Sequence, residues 1–174
     1  MNTFFERLEN FSEKDTRVRA VLRRSLAFEP GEYPPAFPYV EPFLSDQLGP
    51  WNRKMYYLMA GLWASHWREG RTGAPMKIGK ACALYQSRGG GSKSTESRFI
   101  ALLDADDKQL PHRLRRMVSL LKEQPLDFEA LLKDTLWWND DHKSTQMSWA
   151  RDYYRNLEKE MAAQQIPESE EKSR

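Results

Sequence analysis

The segment from residue 110 to 122 carries the residue types and spacing most suggestive of chemistry. Its apolar residues recur at the period of one helix face, namely Leu110, Leu114, Met117, Val118 and Leu121. A helix that buries this face directs Arg115 and Arg116 outward and leaves Arg113 beside the buried face. Because guanidinium groups pair with phosphate oxygens, such a helix can follow a nucleic-acid strand. We therefore predict phosphate binding that is independent of sequence and strongly salt-dependent.

Basic residues on other predicted elements could extend this surface. Arg17 and Arg24 share one flank of a predicted helix, and Arg53 lies at the start of another. Lys93 lies in a loop that we expect to be mobile because it contains three consecutive glycines. If these faces converge, they form a groove for a sugar-phosphate backbone. The alternative, that the charges only solvate helix surfaces, stays open.

Charge is distributed unevenly along the chain. The net charge of the whole sequence is only +2, but residues 77–122 hold ten Lys and Arg against four Asp and Glu. Residues 123–174 hold seven against twelve, and residues 1–76 hold ten against nine. A basic middle followed by an acidic end indicates a localised anionic partner.

The glycine-rich segment RGGGSKST invites comparison with a phosphate-binding P-loop. Its spacing does not fit, because Ser92 stands where the motif requires glycine before the lysine, and no strand is predicted upstream. We interpret the segment as a basic loop and not as a nucleotide-hydrolysing site.

Carboxylates and histidines occur in two local clusters that could hold a metal ion. One comprises Asp104, Asp106 and Asp107, and the other comprises Asp140, Asp141 and His142. Both lie near predicted helix ends, where capping explains them more simply. We interpret the lone Cys82 as a small core residue. We therefore predict no catalytic residue, no metal site and no cofactor.

The fold predicted to position these residues is all-α, a compact bundle of about eight helices. A segment with five prolines, between residues 30 and 42, should form a structured loop with at most short turns. The predicted helices cover 2–11, a stretch capped by Asp15 or Thr16 whose apolar face runs from Val18 to Leu26, 52–68, 76–87, a stretch from residue 94 or 95, 110–122, 127–138 and 143–163.

The predicted division is into two helical lobes, residues 1–90 and 91–165, followed by a disordered tail at 166–174. One cysteine excludes an internal disulfide, which fits a reducing compartment. No apolar run approaches the roughly 18 residues that a membrane-spanning helix needs. We expect a cytoplasmic protein that has no contact with a membrane.

Residues 96–122, ESRFIALLDADDKQLPHRLRRMVSLLK, resemble the middle of the small subunit of the type I-E CRISPR Cascade complex, the CasB family. The segments YVEPFL, NRKMYYLMAGLWASH, IGKACALYQS and LLKDTLWWNDD occur in that family's order. The resemblance covers roughly residues 15–155 and concerns packing and basic-surface motifs.

The resemblance implies a non-enzymatic subunit that stabilises the R-loop. Expected partners are the backbone and large subunits of Cascade, a second copy of the chain, crRNA, and target DNA with its displaced single strand. By position it adds Arg98, Lys108 and Lys143 to the candidate nucleic-acid contacts and supports Arg53, Arg115 and Arg116. The acidic residues Asp104, Asp107 and Asp140 stand where some family members are basic.

Two alternatives stay open. One is a scaffold subunit whose basic faces meet acidic protein. The other is a metal-dependent helical hydrolase built on the two carboxylate clusters.

Overall fold

The computed structural model describes residues 3–89 and 93–165, and across these residues the chain forms nine α-helices and no β-strand. The all-α prediction is confirmed. The predicted tail at 166–174 and the glycines at 90 and 91 lie outside the described residues. The helices are α1 (Phe4–Lys14), α2 (Arg17–Ser25), α3 (Phe37–Val40), α4 (Pro50–His66), α5 (Ile78–Arg88), α6 (Lys93–Leu103), α7 (Leu110–Leu120), α8 (Phe128–Leu136) and α9 (Ser144–Gln164).

Side-chain caps explain where several helices begin. The Thr3 hydroxyl accepts from the amide of Glu6, and the Glu6 carboxylate accepts from the amide of Thr3, which completes a capping box before α1. Asp127 caps α8 by accepting from the amide of Ala130 at 2.9 Å. These caps satisfy amides that have no partner within their own helices.

The proline-rich segment is more helical than predicted. It contains α3 between two short 3-10 helices, Pro34–Ala36 and Glu41–Phe43. In all three elements proline occupies one of the first two positions. Proline is tolerated there because those positions need no amide donor.

The buried apolar side chains form one continuous cluster around α4. Residues 57–64 of α4 are all buried, so this helix is covered on nearly every side. It contacts α2, α7 and α8. The predicted lobes at 1–90 and 91–165 stay a prediction.

Helices α5 and α9 pack closely at Gly79. A Cβ atom at Gly79 would lie 2.7 Å from the Trp149 carbonyl oxygen and 2.8 Å from the Asp152 Cβ. No residue with a side chain fits at that distance unless a helix moves. Cys82, on the same helix, is fully buried in the core, as predicted.

Long-range hydrogen bonds connect segments that are far apart in the sequence. The Trp51 indole donates to the Thr135 carbonyl at 2.9 Å, and the Trp138 indole donates to the Ala105 carbonyl at 2.9 Å. Met76 pairs with the segment before α8, donating to the Pro125 carbonyl and accepting from the amide of Asp127. These hydrogen bonds fix the positions of α4, α5 and α8 relative to one another.

Within residues 3–89 and 93–165, no helix is long and apolar enough to cross a membrane.

His66 occupies a buried polar site at the end of α4. Its Nε2 donates to the Leu121 carbonyl at 3.1 Å, and its Nδ1 accepts from Arg71, so the imidazole is neutral. Arg71 also donates to the Lys122 carbonyl. Burial and the neighbouring Arg71 lower the pKa of His66 from 6.5 to about 4.

The free energy of unfolding should therefore fall as the pH falls below about 6.5. The unfolded chain binds a proton at His66 near pH 6.5, whereas the folded chain resists it down to about pH 4. The contribution of His66 to the free energy of unfolding is fully present above pH 6.5. It falls by up to about 3 kcal/mol as the pH approaches 4. Urea denaturation between pH 4 and 8 measures this.

His66→Gln is the matched control, because glutamine can donate to Leu121 and accept from Arg71 without titrating. The difference between the two unfolding curves isolates the histidine from the carboxylates. Parallel pH profiles for the two proteins would contradict this account of His66.

Gly79→Ala should destabilise the fold by about 1–3 kcal/mol, because the methyl group overlaps backbone and Cβ atoms of α9. This steric loss acts against the gain of roughly 1 kcal/mol that the higher helix propensity of alanine would otherwise bring. Lys80→Ala, at an exposed position of the same helix, should stay within about 0.5 kcal/mol of the wild type. Urea denaturation compares the two, and a stabilised Gly79→Ala protein would rule out the close contact.

Candidate nucleic-acid interface

Helix α7 has a buried apolar face and an exposed basic face, as its sequence pattern predicts. Its apolar face is buried, with Leu110, Leu114 and Leu121 fully inaccessible to solvent. Arg115 and Arg116 are exposed, and Arg113 is half-buried at the edge of that face. The same pattern thus determines both the packing of α7 and the position of its basic face.

Two of the three α7 arginines hold neighbouring backbone. Nη1 of Arg113 donates to the carbonyl of Ala101 in α6, and Nη1 of Arg115 donates to the carbonyl of Leu26 after α2. A guanidinium has further donors, so each group can hold its carbonyl and still face an anion. The sequence pattern did not predict this bracing, because both partners are distant in the chain.

A groove of about 450 Å³ lies between α6 and α7 and collects four of the predicted contacts. We call it the basic groove, and its lining includes Arg98, Arg113, Arg115 and Arg116. No carboxylate is among its lining residues. Arg98 and Arg116 are both exposed, and in the described part of the chain neither makes a hydrogen bond or ion pair. The groove therefore presents concentrated, uncompensated positive charge.

A second pocket of about 350 Å³ adjoins the basic groove. His112 and Arg115 line both, and Lys108 lines the second pocket only. Lys108 thus extends the positive surface toward the end of α2. His112 lies at the junction between the two cavities.

Arg53 has a structural role that the sequence pattern did not predict. It forms an ion pair with Glu41 and donates to the Ser45 carbonyl at 3.3 Å. Tyr57 donates to the other oxygen of the same carboxylate. The pair fastens the proline-rich segment to α4, and a carboxylate already compensates the charge of Arg53. Whether Arg53 also contacts nucleic acid stays a prediction.

The other predicted contacts lie away from the lining of the basic groove. Arg17 is exposed and pairs with Asp15 at 2.8 Å, an arrangement in which the Arg17 hydrogen bond lowers the pKa of that carboxyl. Arg24, Lys93 and Lys143 are exposed, and Lys93 is the first residue of α6 and not part of a loop as predicted. Lys143 has a positive φ of 53°, which is uncommon for a residue other than glycine. For these four residues, nucleic-acid binding stays a prediction.

One carboxylate of each acidic cluster makes hydrogen bonds within its own turn, although neither cluster residue is the N-cap of the following helix. Asp106 accepts from the amides of Lys108 and Gln109 at 3.0 and 2.8 Å, just before α7. Asp140 accepts from the Ser144 hydroxyl at the start of α9, and this hydrogen bond lowers the pKa of its carboxyl. Within residues 3–89 and 93–165, no group of three His, Cys, Asp or Glu side chains is arranged to hold a metal ion.

The aromatic pair Trp137 and Trp138 is split between surface and core. Trp138 is buried against Trp149, with ring centroids 5.2 Å apart, whereas Trp137 is 68 % exposed. The two rings have different environments because α8 ends at Leu136 and the chain turns at these two residues.

Sequence similarity to known proteins identifies the family of this chain. Residues 18–154 match the family described as CRISPR-associated protein Cse2. The CRISPR-associated protein Cse2 of Thermus thermophilus is 45 % identical over 142 residues, which are 80 % of this chain and 79 % of that protein. The chain belongs to the CRISPR-associated Cse2 family.

Solved Cse2-family structures share the helical fold. The crystal structure of a Cse2-family protein from Thermus thermophilus has a TM-score of 0.79 at 40 % identity and covers 87 % of this chain and 96 % of its own. The crystal structure of CasB from M. ruber has a TM-score of 0.77 at 33 % identity and covers 94 % and 99 %. A chain of a CRISPR RNA-guided surveillance complex has the same fold, with a TM-score of 0.78 at 22 % identity over 92 % and 94 % of the two chains.

In this Cse2-family chain the four groove arginines should differ in their effects on stability. Arg113→Ala removes a charged donor from the half-buried Ala101 carbonyl and should cost about 1–2 kcal/mol of unfolding free energy. Arg116→Ala should change it by less than about 0.5 kcal/mol, because Arg116 is exposed. Urea denaturation of both variants tests this, and equal losses would show that Arg113 does not brace α6.

Proposed function

We propose that this protein is a non-catalytic, cytoplasmic subunit of a CRISPR RNA-guided surveillance complex and stabilises its R-loop. The basic groove carries the proposal: four arginines face one cavity of about 450 Å³ that no carboxylate lines. Family membership and the shared fold of the surveillance-complex chain support the assembly.

Phosphate contacts alone suit this role. R-loop formation exchanges one duplex for another of similar stability, so a few contacts to the backbone or to the displaced strand can shift the balance. Arg98 and Arg116 are the principal phosphate contacts in the proposal, since both are exposed and neither donates to a backbone carbonyl in the described part of the chain. Arg113 and Arg115 contribute charge while they hold α6 and the segment after α2 in place. The ligands are target DNA with its displaced strand, and crRNA.

The complex also requires protein contacts, and α9 offers a surface for one. Met147, Tyr154 and Met161 are each about half exposed and occur seven residues apart, so they lie along one side of the helix. An exposed apolar stripe is typical of a protein interface. We assign the scaffold function, contact with the other Cascade subunits or a second copy, to this stripe, and nucleic-acid binding to the basic groove.

Removing the two free groove arginines should weaken strand binding and its dependence on salt. An Arg98→Ala/Arg116→Ala protein loses two phosphate contacts. The slope of log K against log salt for a single strand should then fall in magnitude by roughly 1.4. Fluorescence anisotropy with a labelled strand of thirty nucleotides, at several salt concentrations, measures this slope.

Lys80→Ala/Lys133→Ala is the matched control, because it removes the same charge from exposed positions on α5 and α8 that belong neither to the basic groove nor to the α9 stripe. It should leave the slope unchanged. In a reconstituted complex, the groove variant should shorten the R-loop lifetime and the control should not. Equal lifetimes for the two variants would overturn the proposed function.

A further inference from the structure

The pocket that adjoins the basic groove contains an exposed aromatic platform that the sequence pattern did not predict. Phe28 and Tyr33 stack with ring centroids 4.8 Å apart and planes 20° from parallel. Phe28 is 49 % exposed, and both rings line the pocket. Phe28 is thus packed on Tyr33 while about half of its side chain stays accessible to solvent.

The platform is held in a fixed position. The Phe28 amide donates to the Ser25 carbonyl at 3.1 Å, and the Glu32 amide donates to the Glu29 carbonyl at 3.0 Å. Arg115 fastens the start of this segment by donating to the Leu26 carbonyl. Because the segment is tied to α7, its aromatic face is preorganised and binding costs little additional ordering.

The charges around the pocket indicate which part of a nucleotide can enter. Lys108, His112 and Arg115 line this pocket, and His112 and Arg115 also line the basic groove. Glu29 lines the pocket as well, and its carboxylate repels a phosphate. A planar neutral group is compatible with both the aromatic face and Glu29, while its attached phosphates stay on the basic side.

We propose that this pocket binds one unstacked nucleobase of a single strand whose phosphates lie along the basic groove, and that Phe28 stacks on the base. The proposal rests on the proposed function, because the groove must hold the strand. The pocket volume of about 350 Å³ lies within the range of clefts that take small ligands. Stacking on an aromatic side chain accepts any base, so the subsite adds affinity without sequence preference.

The experiment compares two strands of twelve nucleotides, oligothymidylate and an abasic strand with the same number of phosphates. Phe28→Leu should lower the affinity for oligothymidylate roughly tenfold, the loss expected for one stacked base. It should leave the affinity for the abasic strand unchanged. Arg98→Ala/Arg116→Ala should weaken both strands equally, since it removes only phosphate contacts.

Phe37→Leu is the matched control, because Phe37 is also exposed and packs on a tyrosine, Tyr57, but is not one of the residues that line the pocket. It should bind both strands as the wild type does. A strand with one 5-iodouracil, irradiated on the wild-type protein, should crosslink to Phe28 or Tyr33, as mapped by mass spectrometry.

The experiment distinguishes failure of the base subsite from failure of the proposed function. If Phe28→Leu weakens both strands equally or neither, or if the crosslink maps elsewhere, the base subsite is wrong while the groove stands. If the groove variant and the wild type bind both strands alike, the proposed function is wrong and the subsite falls with it.

Discussion

Burial of one apolar face on α7 is the constraint on which the basic surface depends. Leu110, Leu114 and Leu121 are completely buried, so the helix has a single permitted rotation about its axis. That rotation places Arg115 and Arg116 on the solvent side and leaves Arg113 at the boundary. Arg113 and Arg115 then donate to carbonyls of α6 and of the segment after α2. The single helix α7 therefore contributes to the core, to these hydrogen bonds and to the basic groove.

Features with a local cause were predictable from the sequence. The helical period placed α4, α7 and α9 to within a few residues, because each buries a recurring apolar face. Asp106 and Asp140 also have local explanations, since each carboxylate accepts a hydrogen bond from a group within four residues of it in the chain. The family resemblance is confirmed, because the ordered segments that carried it span the residues matched to the Cse2 family.

Features that depend on distant pairings were not predictable. The ion pair of Arg53 with Glu41 forms only when the proline-rich segment folds back on α4, and no local period encodes it. The stacked rings of Phe28 and Tyr33 lie in an irregular segment, where neither helical nor strand spacing marks a residue as exposed. The convergence of Arg98 with Arg113 likewise requires α6 to pack on α7, and the sequence does not state which helices are neighbours.

The pairing of Met76 with the segment before α8 has a consequence for how the chain can fold and diverge. The main chain leaves this point, forms α5, α6 and α7, and returns to it about fifty residues later, so the intervening segment is a closed loop. All four groove arginines lie inside that loop. Closing it costs entropy that grows only slowly with its length, so insertions between α5 and α7 are tolerated thermodynamically. The basic groove is therefore carried by one continuous segment whose two ends meet at a single point of the fold.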